Sequence, residues 1–98
     1  MFGRKKKRIM LAMLDETENE ILRMPVKELI LPEEAVLRMS IRYFNDPDPC
    51  FIHREAVRQR AVMELMEHTG SFPLSELSEE VRVCFQQGTK LRIWEEEK

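Results

Sequence analysis

Four side chains in this sequence have the chemistry to hold a metal ion or to act as a reactive thiol with its base: Cys50, His53, His68 and Cys84. Thiolate and imidazole are the usual protein ligands of zinc, and Cys50-x-x-His53 places one of each three residues apart. All four cannot share one ion. If residues 52–68 form a single helix, the fifteen steps from His53 to His68 span about 22 Å at 1.5 Å per residue. A site drawn from Cys50, His53 and Cys84 is left open by the spacing, but it matches no familiar zinc motif, and the expectation is no metal and no cofactor. His53 could also serve as base for a Cys50 nucleophile. The simpler arrangement is a buried cysteine beside Phe51, with His53 on the surface of a first helical turn. No glycine-rich phosphate loop, GxSxG, HExxH or paired-cysteine redox motif occurs, so the sequence points away from an enzyme.

Arginines offer a second kind of chemistry. Arg38 and Arg42, and again Arg54 and Arg58, are four residues apart, which on a helix sets like charges one turn from each other. Such pairs are mildly destabilising unless an anion lies between them. Acids of the same chain could supply it: Glu34 precedes Arg38 by four residues, and Glu16, Glu20, Glu76 and Glu79 are further candidates. Alternatively, an acidic surface on a partner protein could do so, and the planar guanidinium fork suits that task.

A third candidate is the basic run Arg4, Lys5, Lys6, Lys7 and Arg8. It leaves eleven basic against eighteen acidic residues in the rest of the chain, a balance of −7 within an overall −2. A basic arm on an acidic body could bind nucleic-acid phosphates or act as a nuclear import signal. A helix–turn–helix over residues 60–81 would support DNA binding, but its second helix would present Glu76, Glu79 and Glu80 to the phosphates, the wrong sign.

The elements that must carry these groups are delimited by prolines 25, 32, 47, 49 and 73. Ninety-eight residues suit one domain with one modest core. Met10, Leu14, Thr17, Ile21 and Met24 recur at helical spacing and predict a first helix over 8–24. Pro32, followed by Glu33 and Glu34, opens a second helix to about Phe44, whose apolar residues 35–37, 39, 41, 43 and 44 cover most of its girth. A third runs from about Ile52 to Thr69, stopped by Gly70. For residues 74–88 a helix capped by Ser75 is favoured. The alternative, for residues 78–94, is a hairpin of 81–85 and 90–94 around Gln-Gln-Gly-Thr.

The expectation is therefore a mostly α protein, a compact bundle of three to four helices with a short C-terminal β-hairpin as the variant. Residues 1–8 would be a basic flexible arm, 9–94 a single helical domain and 95–98 an acidic solvated tail. The longest apolar run, Ile9 to Leu14, is too short for a membrane span or a signal peptide, and two cysteines read as free thiols. That suggests a cytoplasmic protein, or a nuclear one if the source is eukaryotic. The functional expectation is a small non-enzymatic regulator (adaptor, inhibitor or anti-factor) that binds an acidic and apolar surface of another protein, or a second copy of itself as a homodimer. Arg38, Arg42, Arg54 and Arg58 would set the register. The alternative is a nucleic-acid-associated regulator working through Arg4, Lys5, Lys6, Lys7, Arg8 and the helix arginines.

Overall fold

Residues 7–97 are described by a computed structural model, in which the apolar run at the start of the chain is a strand. Strand β1 (Lys7–Leu14) turns through residues 15–19 into β2 (Glu20–Pro25). A 3₁₀ turn, Val26–Glu28, leads to helix α1 (Glu33–Phe44) and then α2 (Phe51–Met66). Strand β3 (Gly70–Pro73), a 3₁₀ turn, helix α3 (Glu79–Arg82), which runs on as a 3₁₀ turn to Phe85, and strand β4 (Lys90–Glu97) complete the chain. The sheet is antiparallel throughout, in the order β2-β1-β4-β3. This is an α+β fold, and the helical bundle expected from the sequence is corrected accordingly.

The first predicted helix fails for a physical reason. Successive strand residues face opposite sides of a sheet, and β1 is covered on both sides, so Met10, Leu11, Ala12, Met13 and Leu14 are all buried. A short continuous apolar run of this kind has no periodicity that separates strand from helix. The deciding signal lies in the turn. Asp15 Oδ1 accepts hydrogen bonds from the Thr17 and Asn19 backbone N–H groups and from the Thr17 hydroxyl, each at 2.9 Å. Those bonds hold the Asp15 carboxyl below its ordinary range and close the hairpin, with Glu18 at φ 64.

Residues 95–97, expected as a tail, belong to β4 and pair with β1 in register Lys7↔Glu97, Arg8↔Glu96 and Ile9↔Glu95. The alternation seen over residues 90–94 is a strand, but its neighbours are β1 and β3, not residues 81–85, which are helical. α2 ends at Met66 with Glu67 as its cap, three residues short of the expected end at Thr69. Gly70, at φ +76, is not its stop but opens β3, so a strand stands where the helix–turn–helix reading needs a turn.

Leu11, Met13, Leu91, Ile93 and Phe72 form one dry cluster with Ala35, Val36 and Met39 of α1, Val57, Ala61 and Leu65 of α2, and Val81 and Phe85. The helices therefore cover one face of the sheet. Met10, Ala12 and Leu14 are equally buried but lie outside that cluster, on the face without helices. Their roof is made of long side chains from the flanking strands. Ala12 stands between Arg23 and Arg92 in the register, and both guanidinium carbons sit 5.0 Å from the centroid of Trp94, the neighbour of Met10. Glu20 accepts from Arg23 at 2.8 Å and Arg92 at 3.4 Å; Glu96 accepts from Arg8 at 3.0 Å and from the Trp94 indole N–H at 3.1 Å.

α1 matches its expected span, with Pro32 before it and Asn45, at φ 51, closing it. The sheet, α2 and α3 enclose most of its apolar girth, and Ile41 and Tyr43 are the large residues left exposed.

Candidate functional site

The four arginines proposed for partner contact are engaged within the chain. Arg38 bonds Glu34 at 2.9 Å and Glu79 at 3.2 Å. Arg42 bonds Glu80 at 2.7 Å, and that contact holds the Glu80 carboxyl below its ordinary range. Arg54 grips both oxygens of Glu33, at 3.0 and 2.8 Å, with the same effect on the Glu33 carboxyl. Arg58 meets no carboxylate among the described residues; its Nε donates to the Leu29 carbonyl at 3.0 Å and a terminal nitrogen donates to the Lys27 carbonyl. Glu34 and Glu79 are thus the acids anticipated from the sequence, whereas Glu20 and Glu76 serve other partners, Arg23 and Arg92 for the first and His68 for the second. These contacts tie α1 to α3 and bind the α2 arginines to the segment before and at the start of α1. Of the basic run, Lys7 and Arg8 lie in β1 and form ion pairs with Glu95 and Glu96, at 3.6 and 3.0 Å. Arg4, Lys5 and Lys6 fall outside the described residues.

α2 carries the surface that looks unfinished. Sixteen residues long, it buries Val57, Ala61 and Leu65 against the core. On its opposite side Ile52, Glu55, Gln59, Met63 and Met66 follow one another at three- and four-residue spacing, which puts them on one stripe. Ile52 is 74 % exposed, Met63 64 % and Met66 51 %; beside the start of the stripe Phe51 is 76 % exposed. Leaving four large apolar side chains in water on one helix forgoes about 1.5–3 kcal/mol of transfer free energy for each that could be fully buried. Met63 also lines an open cleft of about 750 Å³, together with Tyr43, Arg60, Glu64, Glu67 and Glu76. Arg60 lies 4.1 Å over the Tyr43 ring, and Glu64 is held by the backbone N–H and hydroxyl of Ser78, at 2.7 and 2.9 Å. Ser78, and not the expected Ser75, is the residue before α3, and its hydroxyl goes to Glu64 instead of capping the helix. Glu55 and Glu67 are exposed, and neither forms a salt bridge among the described residues.

The groups first considered for metal binding are redistributed. Cys50 and His53 are brought together at the start of α2, and Asp46 joins them. Cys84 does not. It is half-buried behind α3, and burial pushes its thiol up to about 11. His68 stacks on Phe72 with ring centroids 4.2 Å apart, at the far end of α2. Asp46 was not a candidate on sequence grounds, although it sits only four residues before Cys50.

Among the described residues no helix is long and apolar enough to cross a membrane. No family model, curated protein or solved structure matches the chain. The surface chemistry itself must carry the functional argument.

Proposed function

We propose that this protein acts by binding another protein along the outward stripe of α2, as a small regulator without chemistry of its own. The carrying observation is the exposure of Ile52, Met63 and Met66 on a helix whose other side is already packed. Methionine's flexible, polarisable side chain suits a contact that must adapt to its partner. The character of the partner follows from the charges left open. With Arg38, Arg42 and Arg54 paired at home, the open carboxylates on and beside the stripe are those of Glu55 and Glu67. In the adjoining cleft Glu64 and Glu76 are already held by Ser78 and His68, and Arg60 rests on Tyr43. The complement is a segment with an apolar face and basic flanks, instead of the acidic surface expected from the arginine spacing.

The test compares wild-type chain with Ile52→Glu and Met63→Glu variants as nuclease-treated bait, with circular dichroism and melting to show that the fold is intact. The expected result is a defined partner retained by wild type and lost, by about tenfold or more in affinity, from both variants. A partner that binds all three equally removes the stripe from consideration. Nucleic acid bound in a steeply salt-dependent way, and lost on deleting residues 1–6, would instead favour the basic arm. A dimer that dissociates in Met63→Glu would make the second copy the occupant of the stripe.

A further inference from the structure

The chain reversal between α1 and α2 brings three side chains with metal-ligand chemistry to one point. Asp46 Oδ2 lies 2.7 Å from His53 Nδ1, and one donor atom from each of Asp46, Cys50 and His53 lies within 4.8 Å of the others. Asp46 and His53 are each held by a contact of their own. Ser40, fully buried in α1, donates its hydroxyl to the Asp46 carbonyl at 2.7 Å, and the Asp48 N–H binds Asp46 Oδ1 at 3.0 Å, leaving Oδ2 turned to the histidine. The His53 ring lies flat on Phe44, with centroids 4.2 Å apart and planes 2° from parallel. Cys50 precedes the first turn of α2, and its side chain is exposed.

We infer that Asp46, Cys50 and His53 form a binding site for a zinc-class divalent cation, with one coordination position open to solvent. One sulfur, one imidazole nitrogen and one carboxylate oxygen make a donor set for borderline-soft ions, whereas calcium and magnesium select oxygen alone. Bonds of about 2.0–2.3 Å to a shared tetrahedral ion put the donor atoms roughly 3.3–3.8 Å from one another. The cluster reaches that spacing by small movements: the Asp46–His53 hydrogen bond opens by about 0.6 Å and the Cys50 thiol swings inward. On binding, the His53 Nδ1–H gives up its hydrogen bond to Asp46 and the ring passes through solvent to the Nε2–H tautomer, which frees the Nδ1 lone pair. The thiol proton passes to solvent, and the nitrogen and sulfur lone pairs go to the ion. Three ligands within eight residues, across a turn already set by Asn45 at φ 51, require little chain ordering. The site is independent of the α2 docking surface, although an ion there would fix the backbone that presents Phe51 and Ile52.

The experiment uses the purified full chain, titrated with Zn²⁺ against a chromogenic chelator and with Co²⁺ read by absorption. The expected result is one ion per chain, a thiolate-to-cobalt charge-transfer band, and visible bands of tetrahedral intensity. Cys50→Ser, at an exposed position where folding is not at risk, should abolish the charge-transfer band. It should also weaken Zn²⁺ binding by about tenfold or more, as should Asp46→Asn. Cys84→Ser should leave both unchanged. Absence of stoichiometric binding, a cobalt–thiolate band that survives Cys50→Ser, or one lost in Cys84→Ser would each overturn the assignment.

Discussion

On one side of the sheet, Leu11, Met13, Leu91 and Ile93 are kept dry by the carbon of three helices; on the other, Met10, Ala12 and Leu14 are kept equally dry by Trp94 and the stems of Arg23 and Arg92. The same degree of burial is reached with different materials. Long basic side chains can cover apolar surface with their methylene stems while their heads stay in water. Here the heads are further anchored by Glu20, with Glu96 holding Arg8 and the indole, so the roof on the helix-free face is an ionic lattice over a thin apolar layer. The helix side should depend on volume and packing. The open side should depend also on protonation and salt.

The largest expected effect breaks the helix side. Phe85→Ala empties a fully buried position in the main cluster and should cost about 3–5 kcal/mol in urea unfolding. A loss no greater than that of a surface substitution would mean that the dry cluster does not dominate stability. A smaller effect is expected on the other face. Trp94→Ala takes away the half-buried ring on which both arginines rest and should cost about 1–2 kcal/mol. Equal losses from the two variants would erase the contrast between the faces.

The smallest effect sharpens the comparison through pH. Glu96 is held below its ordinary value near 4.5 by the Trp94 N–H and then by Arg8. A carboxyl whose folded value lies below its unfolded one adds stability that is complete above the unfolded value and is lost as pH falls through the folded value. Melting temperature should therefore be level above about pH 5 and fall below about pH 4, with Glu33 and Glu80 contributing in the same direction. Glu96→Gln should make that acid drop shallower, whereas Phe85→Ala should lower the whole profile without changing its shape. An acid profile identical to wild type in Glu96→Gln would remove protonation from the account of the open face.

How much of this could be read beforehand varies by element. α1 was legible from both ends, because Pro32-Glu33-Glu34 opens a helix and Asn45-Asp46-Pro47 closes one. The body of α2 was legible too, since Gly70 sets a limit by which it must have stopped. β1 and β2 were not: β1, buried on both faces, is apolar over Ile9 to Leu14, β2 is largely exposed and shows no buried face, and the spacing of Met10, Leu14, Ile21 and Met24 across the two coincides with a helical repeat. The Asp15-x-Thr17 turn was the overlooked signal. For β4 the alternation was visible, but its partner lies at the other end of the sequence, and local pattern carries no information about pairing over that distance. At the candidate sites, Cys50 and His53 were found from their spacing. Asp46 was missed because it precedes the helix, in a turn that only the left-handed Asn45 folds back upon α2. The arginine spacing pointed to anions, which Arg38, Arg42 and Arg54 find within the chain while Arg58 finds backbone carbonyls. Glu33 and Glu80, which meet Arg54 and Arg42, lie at positions that only the packing of α1 against its neighbours defines.

The β1–β4 ladder, running from Lys7↔Glu97 to Leu14↔Lys90, also bears on how the protein is born. During synthesis the β1–β2 hairpin leaves the ribosome with Leu11 and Met13 bare, and the strand that pairs with them is translated only after the three helices and β3. At ~5–20 residues per second that wait is on the order of ten seconds, far longer than collapse of a chain this size. Until Ile93 clears the exit tunnel the nascent polypeptide is a natural client for a chaperone, and removing residues 95–97 from β4 should harm folding far more than their acidic composition suggests.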